Sequence, residues 1–247
     1  MISAQTALII GATGQTGGHL LRELLDSPKY ARVLEAGRRV TPADKLPASA
    51  RGKLEQRVIN FEKLDEARLG EGEGFDVVYI TLGTTAKLAG SSANFEKIDR
   101  EYVVNAARAA KVADPNRPQR LVYLCTNVAD PKGSSLYQRS KGLTEQALAS
   151  LGYADPIIFR PGFLRGAKRE DFRPLEVVFG PLSTVLGHFS NNIEIGVDKL
   201  AKSMRIAGTV GSAGLPASVN ATKTSWDKDE FTVVNNASAV LLAKENL

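Results

Sequence analysis

Tyr137 and Lys141 stand four residues apart in the segment Leu136-Tyr-Gln-Arg-Ser-Lys141. On a helix this spacing puts phenol and ammonium on one face, about 6 Å apart along the axis. A phenol with its ordinary pKa of about 10 is a poor acid or base at neutral pH. A neighbouring ammonium and a nearby cationic ring favour the phenolate and bring it toward working pH. Such a pair suits proton exchange with a carbonyl or alcohol oxygen, provided a further hydroxyl holds that oxygen. Thr126 offers one, directly after the apolar run Arg120 to Cys125. Strand alternation points the Cys125 thiol to the opposite face. A Tyr four residues from a Lys is common by chance. Its place on the helix that follows a strand ending in a hydroxyl residue makes the pattern specific.

A second constellation lies near the N-terminus, in Gly11-Ala-Thr13-Gly14-Gln15-Thr16-Gly17. A pyrophosphate needs backbone N–H donors and a helix N-terminus, and side chains there block its approach. This turn follows a buried apolar run and opens a helical pattern, the context that turns a glycine triplet from an ordinary tight turn into a dinucleotide site. Gly11, Thr13, Gly14, Gln15, Thr16 and Gly17 are the candidate phosphate contacts. About 20 positions past the glycines, where NAD-binding folds carry an acidic residue for the ribose 2′-OH, the chain reads Gly37-Arg38-Arg39. Two guanidiniums there suit a 2′-phosphate through forked, charge-assisted hydrogen bonds, so the expected cofactor is NADP(H). The alternative is a solvated Arg pair, and Glu35 stands too early in its strand to reach the ribose. Asn60 and Phe61 close the next strand, where an adenine edge would lie, although Asn there also forms turns. Leu82, Gly83 and Thr84 close the fourth strand, with a glycine that lets backbone approach a ribose.

These residues need a scaffold of strands that all end on one side. Thr6 to Ile10, Arg32 to Ala36, Leu54 to Ile59, Phe75 to Leu82, Arg120 to Cys125 and Pro156 to Phe159 read as strands. Between them lie helical patterns: Leu20, Leu21, Leu24 and Leu25, then Phe95, Ile98, Tyr102, Ala106, Ala109 and Ala113 up to Asp114-Pro115. A third helix is expected from about Ser135 to Leu151, with Leu136, Leu143, Ala147 and Leu151 facing inward. Alternating strands and helices predict right-handed crossovers and a parallel sheet covered on both faces, a doubly wound α/β layout of Rossmann type. After Pro161 the pattern weakens. Gly208 to Thr222 reads as a flexible loop, Phe231 to Val234 as a late strand and Ala237 to Lys244 as a terminal helix. A single domain over residues 1–247 is expected, with a cofactor-binding core to about residue 164 and a substrate-side elaboration over about 165–247.

The 247 residues are 43% hydrophobic and 24% charged, which excludes a disordered or collagen-like chain. No apolar run approaches the roughly 18 residues of a membrane-spanning helix, and Met1 to Leu8 does not read as a secretory signal. One cysteine cannot form an internal disulfide, which fits a soluble protein of a reducing compartment. The net charge of +5 comes from 32 Lys and Arg scattered among 27 Asp and Glu. The densest basic patch, Arg165, Lys168, Arg169 and Arg173, is diluted by Glu170 and Asp171 and lacks aromatic interleaving, so no nucleic-acid partner is expected. Two histidines, His19 and His188, and one cysteine give no metal-ligand spacing. Arg160, before Pro161, reads as a structural arginine.

Gly-x-x-Gly-x-x-Gly, the strand-end hydroxyl and Tyr-x-x-x-Lys together resemble the short-chain dehydrogenase/reductase superfamily. More narrowly, Gly37-Arg-Arg39, Asn60-Phe-Glu-Lys-Leu-Asp65, Leu82-Gly-Thr-Thr85, Asp99-Arg-x-Tyr102 and Phe159-Arg-Pro-Gly162 are similar to the atypical Tat-interacting-protein group and its fungal mitochondrial counterparts, from residue 6 to about 175. The resemblance implies NADP(H) binding and a catalytic set of Thr126, Tyr137 and Lys141. It also implies that Pro161, Gly162, Phe163 and Leu164 meet the nicotinamide carboxamide. Cys125-Thr126-Asn127 departs from the group's Ser-Ser-Lys, Asn60 stands where Asp is usual, and Asp99 occupies the region where many relatives carry a helix Asn. Some members of the group act as regulators bound to proteins or membranes. A peripheral association with the mitochondrial outer membrane is therefore implied, beside a cytoplasmic location, with monomer or homodimer both open.

The expected function is an NADPH-dependent oxidoreductase acting on a small carbonyl or alcohol substrate. A cofactor-binding regulatory or adaptor protein with little turnover is the alternative. An epimerase or dehydratase on the same scaffold ranks last, because the chain after Pro161 leaves little room for a sugar-nucleotide domain.

Overall fold

In a computed structural model of the protein, residues 4–72, 74–112, 114, 116–166 and 194–247 are described. Ten strands run β1 (Gln5–Ile10), β2 (Tyr30–Gly37), β3 (Leu54–Val58), β4 (Val77–Ile80), β5 (Arg120–Leu124), β6 (Asp155–Arg160), β7 (Phe163–Arg165), β8 (Glu194–Gly196), β9 (Thr222–Trp226) and β10 (Asp229–Asn235). The α-helices are α1 (Gln15–Asp26), α2 (Ala86–Ala89), α3 (Ser92–Glu96), α4 (Tyr102–Ala110), α5 (Leu136–Ala149), α6 (Val197–Val210) and α7 (Asn236–Leu242). Eight strands form one sheet in the order β3-β2-β1-β4-β5-β6-β10-β9, and β7 pairs with β8 apart from it. Every pairing in the large sheet is parallel except the terminal β9–β10 hairpin.

The period-two alternation of the strands divides the core between two faces. Leu8 and Ile10 join Val78, Ile80, Leu121 and Tyr123 under α4 and α5. Ala7 and Ile9 join Val77, Tyr79, Ile157 and Phe159 under α1, α6 and α7. Strands buried on both faces are continuous apolar runs, which is why β1, β4, β5 and β6 were recognisable without context. The fold is thus the expected doubly wound, Rossmann-type sheet in a single domain.

The region past Pro161 meets the expectation in part: the late strand and the terminal helix are present. Residues 197–210 form a further helix, α6, packed on α1, which takes the first three residues of the loop expected over Gly208 to Thr222. The small residues that suggested a loop are needed for close packing: a Cβ on Gly208 would overlap the Tyr79 hydroxyl. Residues 222–235 form β9 and β10, and β10 extends the main sheet beside β6, Val233 opposite Ile158. Helix α5 also turns differently. Its buried residues include Ser140, Lys141, Thr144, Glu145 and Leu148, whereas Leu143 is 37% exposed.

A buried hydroxyl chain ties α6 to the sheet. The Tyr30 and Tyr79 hydroxyls are 2.6 Å apart, Tyr30 meets Thr209 Oγ1 at 3.0 Å, and Tyr79 donates to the Arg205 carbonyl at 3.4 Å. Tyr79→Phe is expected to lower unfolding free energy by about 1 kcal/mol in a denaturant titration. Combined with Tyr30→Phe it should be non-additive by at least about 0.5 kcal/mol. Strict additivity would show that the chain is not a coupled unit.

Candidate active site and cofactor cleft

The strand order reverses between β1 and β4, and the crevice outside their carboxyl ends is where ligands enter open α/β sheets. The glycine turn sits there. Gly11 has φ +97° and lies so close to β4 that a Cβ would come 2.7 Å from the Leu82 nitrogen. A Cβ on Gly17 would strike the Gly11 carbonyl oxygen. Gly14 is the N-cap of α1 and brings no side-chain oxygen to its first turn, the kind of helix start at which anions bind. Thr13 and Gln15 are exposed, whereas the Thr16 side chain is buried and can offer a ligand only its backbone.

Arg38 and Arg39 are both exposed beyond the end of β2. Arg39 lines a cleft of about 670 Å³ with Thr13, Gly14, His19, Arg22 and Lys45. Arg38 lines a second cleft, about 420 Å³, with Asn60, Phe61, Lys97 and Tyr102. In the second cleft Phe61 stacks on Tyr102, and Lys97 pairs with Glu62 at 2.6 Å. Tyr102 also donates to Glu62, a bond that raises the phenol's pKa. The Asn60 carboxamide oxygen accepts from the Glu62 N–H at 2.9 Å, so the turn-forming role is realised although the residue still faces the cleft.

Lys141 is buried on α5, and its Nζ lies 3.0 Å from Asp99 Oδ1 and 3.2 Å from the Tyr123 hydroxyl. Burial by itself disfavours the ammonium, but the acidic groups around it (Tyr123, Asp99, Cys125 and Tyr137) prevail and hold its pKa well above the ordinary lysine value. Asp99 owes its place to a turn of π-helix, Lys97–Glu101, inserted between α3 and α4. The wider turn moves the inward face from the expected Phe95, Ile98, Tyr102 series to Phe95, Asp99, Val103. Asp99 Oδ1 also lies 3.4 Å from the Thr84 N–H, while the buried Oδ2 has no hydrogen-bond partner among the described residues. A Cβ on Gly83 would sit 3.7 Å from Lys141 Nζ. The end of β4 and the lysine of α5 therefore lie together.

Tyr137, one turn before Lys141, is 40% exposed, and its ring lies 6.0 Å from that of Phe95. Thr126 is half-buried just past β5. Cys125 is buried in the core; burial first, then neighbouring Glu145, pushes its thiol pKa well up. Glu145 also grips Arg160 through both carboxylate oxygens, which makes Arg160 the structural residue expected. The Gly162 N–H donates to Asn236 Oδ1 at 2.9 Å, and the Pro161 carbonyl accepts from the Asn127 N–H at 3.0 Å. Phe163 and Leu164 lie on β7 against β8. His188, Lys168, Arg169 and Arg173 fall outside the described residues. Sequence reasoning missed Tyr123 and Asn236: nothing in an apolar run or a helix start marks one residue as the partner of a distant side chain.

Removing Asp99 tests the pair. Asp99→Ala strands a buried ammonium and should cost about 3–5 kcal/mol at pH 7. The folded-state pKa of Lys141 is raised, so its charge favours the fold fully below the unfolded value of about 10.4, and that contribution is lost as pH climbs through the folded-state value. The deficit of Asp99→Ala against wild type, measured by denaturant unfolding, should therefore shrink at strongly alkaline pH. A deficit that grows with pH would contradict the pairing.

The chain is 34% identical to Protein HTATIP2 of Rattus norvegicus over 172 residues, 70% of this chain and 67% of that one. It is 30% identical to Protein fmp52, mitochondrial, of Emericella nidulans over 189 residues, 76% of this chain and 78% of that one. Among solved structures, the Bordetella bronchiseptica enzyme WbmF in complex with NAD+ superposes with a TM-score of 0.61 at 14% identity, covering 98% of this chain and 77% of that one. The carbonyl reductase Sniffer of D. melanogaster superposes with a TM-score of 0.51 at 16% identity, covering 65% and 82%. Among the described residues, no helix is long and apolar enough to cross a membrane. The model of the NAD dependent epimerase/dehydratase family matches residues 7–171, and the chain belongs to that NAD(P)-binding family of short-chain dehydrogenase/reductase type.

Proposed function

We propose that the protein is an NADPH-dependent oxidoreductase that reduces a small carbonyl compound or oxidises the corresponding alcohol. The observation that carries this reading is the seat of Lys141: a buried, charged ammonium beside the end of β4, with the Tyr137 phenol one helical turn away. The pyrophosphate would be held by the start of α1 and the glycine turn between Gly11 and Gly17. The 2′-phosphate would be read by Arg39 with the basic cleft wall of Arg22 and Lys45, and the adenine would rest against Arg38, Asn60 and Phe61. When bound, the cofactor's nicotinamide supplies or accepts a hydride. Tyr137 Oη gives its proton to the substrate oxygen during reduction, or takes one during oxidation. Lys141 stabilises negative charge on Tyr137 Oη while the proton is away, and the Thr126 hydroxyl orients the substrate oxygen. Asp99 keeps the ammonium in place.

The family description favours a second reading, an epimerase or dehydratase that uses its cofactor without net consumption. Stoichiometry separates the two, since only an oxidoreductase consumes one NADPH for each substrate reduced.

Titration of nicotinamide fluorescence should show NADPH binding at least tenfold tighter than NADH, with Arg38→Ala/Arg39→Ala removing the difference. Tyr137→Phe should retain NADPH binding and lose turnover of aldehydes, ketones or quinones by about 100-fold or more. Equal affinity for both cofactors would overturn the 2′-phosphate assignment. Function that survives Tyr137→Phe would favour a binding or regulatory role.

A further inference from the structure

We infer that Glu35 and Thr41 form a strut that sets cofactor preference, by fixing the turn that presents Arg38 and Arg39; this rests on the NADPH reading above. The turn Gly37–Thr41 forms a wedge between the two clefts, with Arg38 on one side and Arg39 and Thr41 on the other. Side chains as long as arginine's read a phosphate well only when the backbone that carries them is held, because each loses considerable rotamer freedom on binding.

The hold is visible at both ends of the turn. At its start, a Cβ on Gly37 would come 2.9 Å from the Arg39 carbonyl oxygen, so the backbone doubles back tightly. At its far end, Thr41 donates from both its N–H and its hydroxyl to Glu35 Oε1, each at 2.8 Å. Gln56 closes the network, donating to Glu35 Oε2 at 2.7 Å and to the Thr41 carbonyl at 2.8 Å. Glu35 and Gln56 are register partners across β2 and β3, so sheet pairing itself brings them together. Glu35 is almost fully buried, and its two oxygens face three donor groups, as an acceptor-only carboxylate requires. The Glu35 carboxyl is thus spent on holding the turn that carries Arg38 and Arg39. Glu35 and Thr41 are positioning residues, since neither needs to touch the cofactor.

The test compares NADPH and NADH dissociation constants, with thermal midpoints, for wild type, Thr41→Val, Thr41→Ser, Glu35→Gln and Arg38→Ala/Arg39→Ala. Thr41→Val removes one hydrogen bond with little change of volume. It should weaken NADPH binding about three- to tenfold and leave NADH within about twofold. Thr41→Ser, which keeps the hydroxyl, should restore the NADPH:NADH ratio. Glu35→Gln separates the strut from simple charge repulsion, because the two give opposite signs. A strut whose acceptor is replaced by a donor loses NADPH affinity, whereas a merely repulsive carboxylate, once neutralised, would raise it. General damage to the fold would lower both affinities together and leave the ratio unmoved. A wild-type preference for NADPH that Arg38→Ala/Arg39→Ala abolishes, but Thr41→Val and Glu35→Gln leave intact, overturns the strut alone. Equal wild-type affinities overturn the NADPH reading and the strut with it.

Discussion

A lysine ammonium keeps its charge inside a protein only if a counter-ion is buried with it, and Lys141 meets that constraint through Asp99. Much of the site follows from this one pair. The π turn exists where Asp99 must face inward; α5 turns a polar face to the sheet because Lys141 lies on it; Tyr123 offers its hydroxyl at the end of β5. Buried ion pairs contribute little net stability compared with apolar residues of similar volume. This pair therefore keeps a charged lysine one helical turn from a phenol where apolar side chains would otherwise pack.

The pair is joined mechanically to the glycine turn. Gly11 packs against Thr81 and Leu82 at the end of β4, and two residues later Thr84 brings its N–H to Asp99. A displacement of the phosphate turn would thus be felt at the ammonium through a short, stiff stretch of backbone. The Glu145–Arg160 grip fixes α5 to β6 in the same way. One end of the sheet holds both the glycine turn and the Tyr137, Lys141 and Asp99 side chains because all the parallel strands end there, so that crossovers on either face deliver their loops to a common crevice.

Much of this was legible in the chain. Runs such as Ala7–Ile10 and Val77–Ile80, buried on both faces, need no partner to be recognised as strands, and the glycine spacing declares a tight turn. What misled was periodicity taken as burial. Leu143 follows a helical apolar rhythm yet faces outward, while Ser140, Lys141, Thr144 and Glu145 are buried. Ile98 fits the 3.6-residue period, yet a turn of different pitch gives the inward place to Asp99. The glycine and small residues near 208 suggest a loop until Tyr79 is seen pressing against them.

The sequence by itself determined the order of the first six strands, the Gly11–Gly17 turn, the arginine pair and the helical spacing of Tyr137 with Lys141. These are local properties, carried by residues within one or two turns of each other. Only the tertiary structure decided that Asp99 and Tyr123 are the partners of Lys141, that Glu35 serves Thr41, and that the late strand β10 completes the sheet beside β6. Each of those facts joins residues far apart in the chain. Their pairing depends on which faces meet when the sheet is covered, and no pattern within a single segment records that.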